Sequence, residues 1–255
     1  MRSIVVLPTY NERENLEKVV ERILKAVPGI HILVVDDNSP DGTGELAEEL
    51  AGRYRGRIFV LHRAKKEGLG RAYVAGFRHA LAHDYDVLVQ MDADLSHDPA
   101  YLRPMLQRIR ECDVVLGSRY VRGINVVNWD LKRLLLSKCA SLYVRLVTRM
   151  PVTDATGGFK CWRRETLEGI GLDGVFSSGY LFQVEMTYKA FRSGFGIGEE
   201  PIIFYERDLG RSKMNRRIIW EALWGVLKLR FAPRWMTHVE TGGPQMDRPR
   251  HETAA

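Results

Sequence analysis

The sequence predicts an α/β fold: an open, mostly parallel sheet with helices on both faces. Two observations predict it. Apolar runs of strand length alternate with amphipathic segments of helical period, and the connections between them are short. SIVVLPTY (3–10) reads as strand one. ENLEKVVERILKAV (14–27) reads as its helix, with Leu16, Val19, Val20, Ile23, Leu24 and Val27 at helical spacing. HILVVDD (31–37) is strand two, and the turn residues SPDG announce the helix TGELAEELAGRY (43–54). RIFVLHR (57–63) is strand three, followed by the helix GRAYVAGFRHALAH (70–83). DVLVQMDAD (86–94) is strand four, YLRPMLQRIRE (101–111) the helix behind it, and DVVLGSRY (113–120) strand five. From about residue 236 the tail lacks periodicity and core residues, so a domain over 1–235 and a disordered segment over 236–255 are expected.

Composition narrows the class. The three cysteines, Cys112, Cys139 and Cys161, are scattered and lack metal-ligand spacing, as in reduced thiols of a cytosolic protein. The N-terminus offers only IVVL before Pro8, which predicts no signal peptide. No apolar stretch approaches the ~20 residues that cross a bilayer; IIWEALWGVL is cut by Glu221 and flanked by Arg217 and Lys228. The net charge of +6 suits anionic lipid, phosphorylated substrates or nucleic acid, but no nucleic-acid-binding motif appears, so nucleic acid is not expected as a partner.

In an open parallel sheet the C-terminal strand ends share one edge, where ligands bind. Strand one ends in PTYNE, strand two in DDNSPDG and strand four in MDADLSH, so Glu12, Asp36, Asp37, Asp92 and Asp94 meet there. Helix capping accounts for one or two such acids. Five are better explained by a cation and a hydroxyl-rich ligand. Aspartate is a hard oxygen ligand suited to Mg²⁺ or Mn²⁺, and Mg²⁺ takes one or two carboxylates and completes its shell with water and substrate phosphates. The ligand expected is therefore a diphosphate. G-x-G-x-x-G is missing after strand one and the P-loop pattern is missing altogether. Gly68 and Gly70 in KEGLGRA read as a loop before a helix.

PTYNE (8–12), VDDNSPDGT (35–43), MDADLSH (91–97) and GSRY (117–120) together resemble the family 2 glycosyltransferases of the GT-A, Rossmann-like fold. NWDLKRLLLSK, PVTDATGGFKCWRRE, FQVEM and RDLGRSK are similar to the dolichol- or polyprenyl-phosphate mannose synthase branch, and the resemblance covers roughly residues 2–230. It implies transfer of mannose from GDP-mannose to a polyprenyl (dolichyl) phosphate by metal-assisted, inverting displacement. It implies that Pro8, Tyr10, Glu12, Val35 and Asp37 form the base and ribose pocket. Asp92 and Ala93 would line the donor site, and Asp94 would bind the Mg²⁺ or Mn²⁺, joined by Ser96, where some relatives carry Gln. Arg119, Arg207 and Lys213 would meet donor or acceptor phosphates, and Arg119, Arg133 and Ser137 would form the acceptor-phosphate cluster. Asp92, Asp94 and Arg119 are the residues expected to carry catalysis. By the same resemblance Asp154, Gly157, Gly158 and Glu185 match motif positions near the acceptor, and none of them is expected to act as a base.

The acceptor side accounts for the basic charge. In 132–150, Leu135, Leu136, Cys139, Leu142, Tyr143, Leu146 and Val147 form one stripe, and Lys138, Arg145 and Arg149 form another. The segment 214–231 is apolar around most of its circumference, with Trp220, Trp224 and basic ends. It reads either as a core helix or as a second amphipathic helix at the membrane surface, in the headgroup layer. The expected location is the cytoplasmic face of a membrane, with peripheral contact and room for a separate anchoring partner. Three alternatives stand beside this reading: the same reaction with UDP-glucose, a noncatalytic nucleotide-binding protein of the membrane surface, and a sugar nucleotidyltransferase. The last needs a Gly-rich basic loop that PTYNE does not provide.

Overall fold

The computed structural model describes residues 1–205 and 216–231, the side chains of 216–222 excepted. Strands β1 (Ser3–Thr9), β2 (His31–Asp36), β3 (Ile58–His62) and β4 (Val87–Gln90) pair in parallel in the order β3-β2-β1-β4. Helices α1 (Arg13–Ala26), α2 (Thr43–Arg53) and α3 (Leu69–Leu81) make the crossovers, and α4 (Leu102–Arg108) follows β4. Alternation along each strand divides the core between the two faces. Val5, Leu7, Ile32 and Val34 pack with α1, α2 and α4, whereas Ile4, Val6, Leu33 and Val35 pack with Tyr73, Phe77 and Ala80 of α3. β1, β2 and β4 are buried on both faces, which explains why they read as continuous apolar runs, while β3 is a partly exposed edge strand.

The sheet departs from a simple continuation after β4. The expected fifth strand, β5 (Val114–Ser118), is not its neighbour. A short strand from much later in the chain, β7 (Lys160–Arg163), lies between them and runs antiparallel to both. The sheet ends with β8 (Ile197–Pro201), parallel to β5, in the order β3-β2-β1-β4-β7-β5-β8. Because β7 is reversed, its N-terminal end lies at the edge where the other strands end. The segment before it, including Asp154 and Gly158, is thereby delivered to that edge. A two-stranded ribbon of β6 (Val126–Val127) and β9 (Phe204–Tyr205) stands beside it.

The helices of the second half are α5 (Leu131–Thr148), α6 (Arg164–Ile170), α7 (Leu181–Arg192) and α8 (Arg216–Phe231). Asp130 caps α5, accepting from the Arg133 N–H at 2.8 Å. This helix turns its small and polar side inward: Ser141, Val144 and Thr148 are buried. Leu131, Leu135, Leu142 and Leu146 are 68%, 54%, 52% and 71% exposed, and Leu136 and Cys139 are also exposed. Of the expected apolar stripe only Tyr143 and Val147 are partly covered, and Lys138, Arg145 and Arg149 are exposed with the leucines. In α8, Val226 and Leu229 are buried, while Trp224 and Phe231 are exposed. A helix buried all round is thereby excluded for residues 223–231, the membrane-surface reading stays a proposal, and the Trp220 side chain lies outside the described residues. No described helix is long and apolar enough to cross a membrane.

Candidate active site

The acids expected at the sheet edge are there, each with its own partners. Asp36, at the end of β2, is spent on the loop: it accepts from Thr9 Oγ1 at 3.1 Å, and from the Ser39 N–H at 3.0 Å and Ser39 Oγ at 2.6 Å. Asp37 receives Arg63 Nη1 at 2.5 Å, and Arg63 also reaches Glu67 at 2.9 Å. Burial raises the Asp37 carboxyl above its usual range, against the pull of Arg63. Pro8 and Val35 face each other in the β1–β2 register. The Tyr10 ring beside them carries Lys66 Nζ 3.8 Å from its centroid. Glu12 opens α1, its backbone N–H donating to Thr43 Oγ1 at 3.0 Å. Gly68, at φ +104°, closes the loop before α3, as the reading of KEGLGRA expected.

β4 ends at Gln90, so MDADLSH is a turn beyond the strand and not its last residues. Leu95 takes φ +63°, a left-handed conformation that costs a non-glycine residue of order 1 kcal/mol or more. That bend returns Ser96 to Asp94: Ser96 N–H and Oγ both donate to Asp94 Oδ1, at 3.0 and 2.5 Å. Asp94 and Ser96 are 6% and 1% exposed, a compact oxygen pair. Among the described residues no cluster of three or more His, Cys, Asp or Glu could hold a metal. One carboxylate with a hydroxyl fits a hard divalent ion whose remaining ligands are a diphosphate and water, and does not fit zinc or a closed structural site. Two residues earlier, Asp92 accepts from the hydroxyl of Tyr73, in α3, at 2.7 Å.

A second cluster adjoins this turn. Arg119, just past β5, is buried and gripped by Asp154. Nε donates to Oδ2 and Nη2 to Oδ1, both at 2.6 Å, while its backbone N–H reaches Oδ2 at 3.0 Å. Nη2 also reaches Thr156 Oγ1 at 2.8 Å. Three of the five guanidinium protons are thus used, and the two on Nη1 have no hydrogen-bond acceptor among the described residues. Burial alone would raise the Asp154 carboxyl. The charge and hydrogen bonds of Arg119 outweigh it and hold the group below the usual carboxylate range. The Arg119 guanidinium lies 5.3–5.5 Å from the ring centroids of Tyr120, Trp129 and Phe204, and Arg133 lies 4.3 Å from that of Trp129. Tyr120 Oη donates to Ser137 Oγ at 2.8 Å. Phe204 joins the two clusters, edge-on to Trp129 at 5.5 Å and to His97 of the acidic turn at 5.4 Å. The Tyr205 N–H, next along β9, donates to the Ser96 carbonyl at 3.2 Å.

A model of glycosyl transferase family 2 matches residues 4–171. The chain belongs to this family. A polyprenol monophosphomannose synthase of Mycolicibacterium smegmatis is 49% identical over 231 residues, which cover 88% of this glycosyltransferase and 87% of the relative. An undecaprenyl-phosphate mannosyltransferase of Micrococcus luteus is 47% identical over 235 residues, or 92% and 96% of the two chains. Among solved structures, glucosyl-3-phosphoglycerate synthase of Mycobacterium tuberculosis in complex with Mn²⁺, UDP and phosphoglyceric acid superposes with a TM-score of 0.67. That match covers 91% of this chain and 79% of the other, at 19% identity, and establishes the shared GT-A architecture.

The sequence expectations thus divide. The strand-end residues Pro8, Tyr10, Glu12, Val35, Asp37, Asp92, Ala93 and Asp94 fall on one edge, and Arg119, Arg133 and Ser137 gather beside it. Arg207 and Lys213, like the tail from 236, lie outside the described residues. Glu185 is fully buried beneath the Phe176–Ser177 turn. It accepts both of that turn's N–H groups, at 3.1 and 2.9 Å, and the Ser177 hydroxyl, which gives it a structural task. Arg63, Tyr73, Trp129 and Phe204 were not singled out from sequence. Tyr73 lies within the predicted helix 70–83 with no role given to it, Phe204 falls in no motif, and only the NWD motif pointed toward Trp129.

Proposed function

We propose that this glycosyltransferase is a polyprenyl-phosphate mannosyltransferase, carrying mannose from GDP-mannose to a polyprenyl (dolichyl) monophosphate. The observation that carries the reading is the contact between the acidic turn and the arginine–aromatic cluster. A donor edge rich in carboxylates opens directly onto a site built for a second anion, so the acceptor is a phosphate and not a neutral hydroxyl. The two relatives named for polyprenol and undecaprenyl-phosphate mannose transfer support the sugar and the lipid.

Pro8, Tyr10, Glu12, Val35 and Asp37 hold the base and ribose, and Asp92 and Ala93 line the sugar. Asp94 with Ser96 would hold Mg²⁺ or Mn²⁺, and the M. tuberculosis neighbour solved with Mn²⁺ supports a divalent ion. When bound, such an ion offsets the negative charge developing on the departing diphosphate. Arg119, fixed by Asp154, presents Nη1 to the acceptor phosphate, with Arg133 and Ser137 beside it. An acceptor oxygen forms the bond to the anomeric carbon as the bond to the nucleoside diphosphate breaks, its electron pair leaving with GDP and the configuration inverting. A phosphate monoester has its second pKa near ~6, so the nucleophile is largely ionised at neutral pH and needs no base. This agrees with a site in which the buried Asp154 is committed to Arg119.

The acceptor's hydrocarbon stays in the bilayer, held by ~0.8 kcal/mol per buried CH₂. The enzyme therefore meets it at the membrane surface, on the cytoplasmic side in this proposal. The exposed leucines of α5, with Lys138, Arg145 and Arg149, begin at the Arg133–Ser137 end and supply that contact, together with Trp224. The test is an assay of purified protein with Mg²⁺ or Mn²⁺, a short polyprenyl phosphate, and radiolabelled GDP-mannose or UDP-glucose in parallel. Label is expected in the organic phase from GDP-mannose alone. Label from UDP-glucose alone, or transfer without the lipid phosphate, would overturn the assignment.

A further inference from the structure

One hydroxyl at the donor edge has no part in the assignments above. Tyr73 is fully buried in α3, stacked at 5.9 Å on Phe77 and at 5.8 Å, with planes 2° apart, on Phe182 of α7. A phenylalanine would serve this stack equally well. The hydroxyl is instead spent on Oδ1 of Asp92 at 2.7 Å, an acid that is itself partly exposed. A buried tyrosine hydroxyl requires a partner, but this one reaches across from a helix to the turn that carries Asp92 and Asp94. Burial, followed by the charge and hydrogen bond of Asp92, holds the phenol well above its usual range, so it remains a donor.

The surroundings fix the rest of Asp92. Its backbone N–H faces His97 Nδ1 at 3.4 Å. Its second oxygen, Oδ2, lies on the side of Gly158, where a Cβ would stand 3.3 Å from Oδ2, 3.4 Å from Gln183 Nε2 and 3.5 Å from His97 Cε1. The absence of a side chain at 158 leaves that oxygen clear. Asp94 and Ser96 bond to each other, two residues away, and form a separate oxygen pair suited to the cation. What remains for Asp92 Oδ2 is a neutral donor, such as a hexose hydroxyl.

We propose that Tyr73 is a positioning residue of the donor site, whose hydroxyl orients Asp92 so that Oδ2 accepts a hydrogen bond from a hydroxyl of the donor hexose. The inference rests on the reading of Asp92 as a donor-site residue. Tyr73→Phe preserves the stack and removes only the hydroxyl. Transfer is measured beside calorimetric binding of GDP with Mn²⁺, which lacks the hexose, and beside thermal denaturation. The expected result is a kcat lower by about 10- to 100-fold, with GDP affinity within about twofold of wild type and an unchanged Tm. In a double-variant cycle with Asp92→Asn, the pair should be no slower than Asp92→Asn alone.

Wild-type kcat in Tyr73→Phe, a fall in GDP affinity matching the fall in rate, or additive losses in the cycle would each overturn the proposal. So would loss of the fold, which would mark the hydroxyl as structural. If the wild-type enzyme takes its hexose from another nucleotide, the same cycle is run with that donor and its diphosphate. The failure of the donor assignment is thereby kept apart from failure of the role given to Tyr73.

Discussion

Lys160 gives the sharpest quantitative test of the fold. It sits on β7 opposite Gln90 of β4 and Leu116 of β5, fully buried. Nζ donates to the Gln183 carbonyl at 2.6 Å and to Thr187 Oγ1 at 3.0 Å. The Thr187 hydroxyl already donates to that carbonyl at 3.0 Å, so its oxygen is free to accept. Two acceptors match the two N–H bonds of a neutral amine, and a third proton finds no acceptor among the described residues. Burial lowers the pKa from 10.5 to about 7, against the raising effect of Asp154 and Asp92. Between these two values the unfolded chain binds a proton that the folded chain does not. Stability therefore rises with pH across this window, and is lost as pH falls toward the folded-state value.

Going from about pH 7 to about pH 8.5, the linkage amounts to roughly 1.6 kcal/mol. Urea denaturation of wild type and of Lys160→Met at both pH values isolates it, because other titrating groups cancel in the difference. The wild-type stability relative to the variant should increase by that amount. A difference that stays flat over the range would show that Lys160 is charged in the folded protein, and the neutral-amine reasoning would fail.

Asp94→Ala should lower transfer by at least about 100-fold and abolish Mn²⁺ binding in calorimetry. Its circular dichroism should match wild type, since the turn lies beyond the sheet. Arg133→Ala should raise the KM for polyprenyl phosphate about tenfold and leave the KM for the nucleotide sugar unchanged in steady-state assays. Asp154→Ala strands a buried guanidinium and should cost about 3–5 kcal/mol of stability by chemical denaturation. Replacing Leu135 and Leu146 together by Ser should weaken sedimentation with anionic vesicles while leaving Tm unchanged, because both side chains are exposed.

Much of the first half was legible because β1, β2 and β4 are buried on both faces and each crossover helix is amphipathic. β1 to β5 and α1 to α4 fall where the apolar runs and helical periods put them, within a few residues at the ends. β7 was not legible. KCWR mixes buried and charged residues, follows two glycines, and carries no alternation that names its neighbours. The turn at Leu95 was equally silent, since a leucine at positive φ gives no turn signal, and strand four was read too long. In the site, acids at strand ends were visible because topology alone gathers them. The groups around them were not: Tyr73 bonds to Asp92 and Arg63 to Asp37, while Trp129 and Phe204 flank Arg119, and none of these contacts is written in the local sequence pattern.

The reversed strand also constrains the order in which the protein can be built. Both neighbours of β5 are synthesised after it, β7 some forty residues downstream and β8 later still. A ribosome that has released the first 120 or so residues has supplied all of β3-β2-β1-β4 but nothing that can bind β5. Until β7 emerges, the open edge of β4 presents Val87–Gln90 to any passing strand. Closure of the β4 edge and assembly of the Arg119–Asp154 pair therefore coincide, since the same stretch of chain that seals the sheet carries Asp154 to Arg119 and Gly158 to Asp92.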